Sequence, residues 1–247
     1  MPRYRLLLEY DGGPFAGWQR QPEGRSVQQA VETAIHAFCG EAVVLTAAGR
    51  TDAGVHAAGQ VAHLDLEREV PPERLMGAVN AHLRPQPVAV LEAAHVDDAF
   101  HARFDAVARH YRYRILNRRA PAVLDAGRVW HVPVPLDPER MHDAAQALAG
   151  RHDFTSFRAA ACQAASAVKT LSRIHVRASG DLVEVAVSAR SFLHHQVRNI
   201  VGTLKLVGEG RYPVGYVREA LLARDRSAAG PTAPPQGLCL VRVDYPT

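Results

Sequence analysis

Between Tyr4 and Val96 the apolar residues keep changing period, and the order of those periods restricts the fold more than any other feature of the chain. Tyr4, Leu6, Leu8 and Tyr10 alternate with Arg5, Leu7 and Glu9, which predicts a strand ending at Asp11-Gly12-Gly13-Pro14. Ser26-Val27-Gln28-Gln29 reads as a capping box, and Val27, Val31, Ala34, Ile35 and Phe38 then fall on one helical face. Gly40 is placed to end that helix in a left-handed conformation. The run Val43-Val44-Leu45 predicts a strand over 42–46, and the alternation around Val61, Ala62 and Leu64 predicts another over 60–66. Pro71-Pro72-Glu73 opens a second helix with Leu75, Met76, Val79 and Leu83 inward, and a strand follows over 88–96. The order is β-α-β-β-α-β, the split βαβ arrangement, which makes an α+β domain with an antiparallel sheet.

The second half alternates in the same manner. Over 107–117, Tyr111, Tyr113 and Ile115 point one way and His110, Arg112 and Arg114 the other, so one strand face is aromatic and the other basic. A short extended piece is expected at 127–132. Asp137-Pro138 starts a helix with Met141, Ala144, Ala145 and Leu148 inward. Strands over 170–178 and 182–189 are joined by Ser179-Gly180-Asp181. A long helix is expected from Phe192 to Val207, a short one at 216–222, an irregular Pro-rich stretch at 229–237 and a last strand at 238–243. The domains expected are 1–105 and 106–247, both α+β, with a cleft between them.

A chain of 247 residues with 47% hydrophobic and 22% charged residues has the balance of a soluble globular protein, and no apolar run approaches a membrane span. The apolar N-terminal stretch is too short for a signal peptide, which predicts a cytoplasmic location. Cys39, Cys162 and Cys239 lie at no zinc-ligand spacing, no HExxH or histidine cluster at ligand spacing occurs, and no Walker or Rossmann glycine pattern appears. Neither a metal nor a nucleotide cofactor is therefore expected. Charge is concentrated instead. Between Phe100 and Ala120 six arginines (103, 109, 112, 114, 118 and 119) face one acid, Asp105, although the whole chain carries only +4. Such a patch fits either a phosphate-rich partner or a solvated strand.

The candidate chemistry lies in Gly49-Arg50-Thr51-Asp52-Ala53-Gly54-Val55-His56-Ala57, a loop between two expected strands. Alone, Asp52 reads as a turn residue that hydrogen-bonds its own backbone. A carboxylate aimed by a guanidinium can also attack an electron-poor carbon and form a covalent intermediate, and a tyrosine can stack beneath an extruded base. A non-catalytic RNA-binding protein and a metal-dependent hydrolase remain alternatives at this level.

Several segments carry a specific resemblance. They are Glu9-Tyr10-Asp11-Gly12 with Gly17-Trp18-Gln19-Arg20-Gln21, the octapeptide Gly49 to His56, Asn80-Ala81, Phe100-His101-Ala102-Arg103, Tyr111-Arg112-Tyr113, Asp153-Phe154-Thr155-Ser156-Phe157, the stretch Phe192 to Gly202, and Pro234-Pro235-Gln236-Gly237-Leu238. In this order the chain resembles the tRNA pseudouridine synthase A family over essentially its whole length. The resemblance implies two ferredoxin-like halves whose antiparallel sheets form a continuous central sheet. It implies an isomerase that uses no cofactor and converts uridine to pseudouridine at positions 38, 39 and 40 of the tRNA anticodon stem-loop. Asp52 would be the nucleophile acting on a flipped base. Tyr111 would pack against that base, Arg50 and Arg198 would pair with Asp52 or the substrate, and Leu238 would line the pocket. Arg112 would contact the RNA backbone. Family members are homodimers, so a homodimer is expected here.

Overall fold

The computed structural model describes residues 1–246. In chain order its elements are β1 (Arg3–Tyr10), α1 (Val27–Cys39), β2 (Thr46–Ala47), β3 (His56–Asp65), α2 (Pro72–Leu83), β4 (Val88–Val96), β5 (Ala108–Leu116) and β6 (Trp130–His131). There follow α3 (Pro138–Gln146), β7 (Gly150–Asp153), β8 (Val168–Ser179), β9 (Leu182–Ala189), α4 (Gln196–Gly208), α5 (Tyr216–Ala223) and β10 (Leu238–Asp244). The fold is mixed α+β, and the sheet pairing is mostly antiparallel, as the periodicity indicates.

The contacts divide the chain into two units, Met1–Val107 with the chain from Cys239 onward, and Ala108–Leu238. The first break lies two residues past the boundary expected at 105/106. The C-terminal strand, however, groups with the first unit and not with the rest of 106–247. The cause is its pairing: Cys239 and Leu240 run parallel to His56 and Ala57. The Val107 N–H also donates to the Asp244 carbonyl, and the Tyr245 hydroxyl donates to that of Ala102.

In the first unit β1 lies between β3 and β4, antiparallel to both. The outer edge of β3 is shared, with β10 at its start and β2 near its end. Alternation along β1 buries Tyr4, Leu6, Leu8 and Tyr10. Helix α1 packs against α2, and α2 against β4. The Ser26 hydroxyl accepts the Gln29 N–H at 3.1 Å, a cap worth about 1 kcal/mol. Gly40 closes α1 at φ 77° with its N–H on the His36 carbonyl. Phe38, expected inward, is only half-buried, and Glu32 takes a buried place on that face.

Glu32 also explains a difference from expectation. The strand expected over 42–46 is reduced to the two residues of β2, because the Leu45 N–H donates to the Glu32 carboxylate at 3.0 Å instead of entering a ladder. Val44 is left 75% exposed.

The second unit carries an antiparallel sheet in the order β5-β9-β8-β7, with β6 parallel to the end of β5. Helix α3, capped by the Asp137 carboxylate on the N–H groups of Glu139 and Arg140, packs on β8 and α4. Tyr113 and Ile115 are buried as the alternation requires, but so is Arg109 on that same face, its guanidinium donating to the Arg190 carbonyl. Helix α4 begins four residues later than expected. The Leu193 N–H donates to the Gln196 side-chain oxygen while the Gln196 N–H donates to the Leu193 carbonyl. That closed turn holds His194 outside the helix and puts His195 at φ 61°.

Candidate active site

The Asp52 loop hangs between β2 and β3 in the first unit. The Val55 N–H donates to the Asp52 carbonyl at 3.1 Å, closing a turn whose third residue, Gly54, sits at φ 76°. Glycine is the residue that enters that region freely. The turn reading of Asp52 is thus correct for its backbone, and the side chain carried on that held frame is half-buried.

That frame is tight on one side. The Trp18 N–H donates to the Thr51 carbonyl at 3.0 Å. A Cβ built on Gly12 would lie 2.0 Å from the Val55 carbonyl oxygen, so only glycine lets the β1–α1 connection lie against the turn. The Gly12 N–H donates to His56 Nδ1 at 3.0 Å, and the Asp11 carboxylate lies 3.2 Å from the same nitrogen. A Cβ on Gly49 would meet nothing within 4 Å, so that side of the loop is open. Arg50 is exposed on the same loop as Asp52.

The other expected site residues lie in the second unit or at its end. Tyr111 is half-buried on β5, opposite Val187 of β9, with the Phe192 ring edge-on at 5.2 Å and 89°. Tyr113, two residues on, is fully buried, and its hydroxyl donates to the Pro234 carbonyl at 2.7 Å. Burial pushes that hydroxyl well above tyrosine's ordinary range, so it stays a neutral donor. Arg198 lies in the first turn of α4, and its Nε donates to the Ala233 carbonyl at 2.8 Å while the Ala233 N–H donates to the Arg198 carbonyl. Leu238, buried, is the first residue of β10. The Pro-rich segment 229–238 is therefore the part that joins α4 to β5 and gathers Arg198, Tyr113 and Leu238.

What fixes that segment escaped the sequence reading. Asn199, fully buried, donates to the Phe157 carbonyl and accepts from Arg226 and Thr232, while Thr203 accepts the Gly230 N–H. A Cβ on Gly202 would lie 1.7 Å from the Pro231 carbonyl oxygen. The motif Phe192 to Gly202 is thus partly a docking surface for the Pro-rich loop.

The arginine patch is also less bare than its sequence. Arg112 Nε lies 3.5 Å from Glu184, Arg114 pairs with Asp125 at 3.1 Å, and Arg118 with Asp181 at 3.6 Å. A shallow depression lined by Asn117, Arg118, Arg119, Pro133, Val134 and Pro135 contains none of the expected site residues. Its Asn117 is taken up by the backbone of Val132, Val134 and Leu136.

A family model described as tRNA pseudouridine synthase matches residues 7–105 and 144–246. The matched ranges include Arg50, Asp52, Arg198 and Leu238 but pass over Tyr111 and Arg112. Full-length relatives span those as well. The chain is 59% identical over 245 residues to the tRNA pseudouridine synthase A of Parvibaculum lavamentivorans, covering 99% of this chain and 100% of that one. It is 60% identical over 248 residues to that of Mesorhizobium japonicum, covering all of both. Against that of Rhodospirillum rubrum it is 60% identical over 246 residues, covering 100% of this chain and 88% of the relative. These matches place the chain among the isomerases that modify RNA. Within that class it belongs to the tRNA pseudouridine synthase family. No helix among the described residues is long and apolar enough to cross a membrane.

Proposed function

We propose that the chain isomerises uridine to pseudouridine at positions 38, 39 and 40 of the tRNA anticodon stem-loop, with Asp52 as nucleophile on a base flipped out of the stack. The observation that carries this reading is the Asp52 turn. It is pinned along its backbone and clamped by Gly12, and its carboxylate is only half-buried. A carboxylate held in this way is suited to covalent catalysis, where a near-attack geometry supplies much of the rate.

The chemistry conserves atoms. The C1′–N1 bond breaks, the uracil turns, a C5–C1′ bond forms, C5 gives up its proton and N1 ends with one. No oxidant, reductant or group donor enters. Extruding the base costs a few kcal/mol. Tyr111, braced edge-on by Phe192, offers an aromatic face to the base. Arg50 and Arg198 supply cations to Asp52 or to the RNA, Leu238 an apolar pocket wall, and Arg112 a contact to the RNA backbone. The family resemblance extends the reading to a cytoplasmic homodimer, which sedimentation of the purified protein checks.

The deciding experiment incubates purified protein with unmodified tRNA and maps pseudouridine by carbodiimide modification. New adducts are expected at positions 38–40 wherever uridine stands there, and they should persist in excess EDTA. Asp52→Asn should lower the rate on the order of a thousandfold or more while tRNA still binds. Binding without any adduct would favour a non-catalytic RNA-binding protein, and loss of activity in EDTA a metal-dependent one.

A further inference from the structure

Gln60 is fully buried in the middle of β3, opposite Leu8 of β1. Strand pairing uses backbone groups alone, so a primary amide at this depth has to meet its hydrogen bonds elsewhere. Its nitrogen donates to the Gly49 carbonyl at 2.7 Å and to the Tyr10 hydroxyl oxygen at 3.4 Å. A carbonyl only accepts, so the atom facing Gly49 is the nitrogen, and this fixes the orientation of the amide. The Tyr10 oxygen therefore accepts from Gln60, and it shares a second hydrogen bond with Thr51 Oγ1 at 2.8 Å, in which either hydroxyl can donate. Burial pushes the Tyr10 hydroxyl well above tyrosine's ordinary range, which keeps it a neutral phenol.

Gln60 thus reaches the loop twice, directly at the Gly49 carbonyl and through the Tyr10 hydroxyl at Thr51. Gly49 and Thr51 bracket Arg50, and Thr51 is bonded to Asp52. The two strands beneath the loop grip it on both sides of the arginine through neutral groups that do not themselves reach out of the interior. We propose that Gln60 and Tyr10 are positioning residues for Asp52, holding the catalytic turn in register with the sheet. The proposal rests on Asp52 being the nucleophile.

The same strand supplies a control. Tyr4 is also fully buried on β1, and its hydroxyl is engaged by the backbone of Val70 at 2.8 and 2.7 Å, away from the loop. The test measures single-turnover rate, tRNA affinity and Tm for Tyr10→Phe, Gln60→Met, Tyr4→Phe and Asp52→Asn. Tyr10→Phe and Gln60→Met should lose about 10- to 100-fold in rate with affinity within about twofold of wild type, the size expected of a slightly misplaced reacting group. Tyr4→Phe should lower Tm without changing the rate. If Tyr10→Phe and Gln60→Met lose only Tm, as Tyr4→Phe does, the positioning role is overturned. If Gln60→Met does not fold, Tyr10→Phe decides alone. An Asp52→Asn protein that turns over normally would defeat the nucleophile reading itself. A dead Asp52→Asn beside a fully active Tyr10→Phe would defeat only the positioning role.

Discussion

The turn that presents Asp52 and the arginine-bearing strand β5 show two ways of placing polar groups, and they behave oppositely as sequence. The Asp52 turn is held by neutral groups: the Tyr10 hydroxyl, the Gln60 amide, the Trp18 N–H and the close approach of Gly12. These are buried, short-ranged and indifferent to salt. Strand β5 carries formal charge on its outward residues, and acids from other elements meet those charges at 3.1–3.5 Å. Such half-exposed pairs are typically worth 0–1 kcal/mol each and weaken with ionic strength. The contrast indicates that packing governs precision at the turn, whereas β5 holds its charges through half-exposed pairs that added salt weakens.

The largest expected effect breaks the frame on the turn side. Gly12→Ala would drive a Cβ to 2.0 Å from the Val55 carbonyl oxygen, and the obstacle is backbone rather than a flexible side chain. Overpacking of this kind costs about 3 kcal/mol, and here relief must come from moving the turn that bears Asp52. Urea unfolding should show the loss, and the activity of the remaining folded protein should fall with it. A stable, fully active Gly12→Ala would mean that the turn tolerates displacement and that the contrast with β5 is overstated.

A smaller effect sharpens the claim that the first unit keeps its buried polar groups neutral. His63, on the same strand as Gln60, has its pKa lowered to about 4, chiefly by burial and then by the nearby Arg3 and His101 charges. Its Nδ1 accepts the Ala102 N–H at 3.1 Å. A histidine whose pKa is depressed on folding stays neutral in the native state while the unfolded chain takes up a proton below about pH 6.5. Its contribution is therefore complete above that pH and declines as the pH falls toward 4. His63→Asn, which keeps an acceptor near the Nδ1 position, should lose less stability than wild type between pH 6.5 and 4. Carboxylates remote from His63 titrate alike in both proteins and cancel in the difference. Parallel stability curves would show that His63 is not held neutral.

How much of this was legible follows from how far apart the partners lie. The caps at Ser26 and Asp137 could be read because a cap and the N–H groups it meets are two or three residues apart. The strand over 42–46 could not, because the carboxylate that takes the Leu45 N–H is Glu32, on the preceding helix. The last strand was visible, but not that it pairs with His56 and Ala57. The start of α4 was misplaced because Gln196 closes a turn on Leu193 that a plain helical period does not foretell. For the site, the Gly49–His56 segment stood out as local chemistry in the sequence. Gln60 gave only the faint signal of a polar residue heading the apolar run from Val61, and the acids that meet β5 lie at 125 and 184.

Those acids shape the smallest effect, which concerns tRNA binding. Arg112 is 43% exposed with Nε 3.5 Å from Glu184, and Glu184 also accepts two hydrogen bonds from Arg177. One carboxylate thus serves two guanidiniums, and Arg112 holds the longer contact. It is the member of the pair with most to gain from a phosphate. If it makes one phosphate contact in the complex, Arg112→Ala should make the plot of log affinity against log salt shallower by about 0.9, with little change in stability. Glu184→Gln should do the reverse. Removing the competing carboxylate frees both arginines for RNA, so affinity at low salt rises and the slope steepens. Filter binding across a salt series measures both. An unchanged slope in both variants would leave β5's charges paired within the protein and remove Arg112 from the RNA interface. A shift in Glu184→Gln alone would transfer the phosphate contact to Arg177.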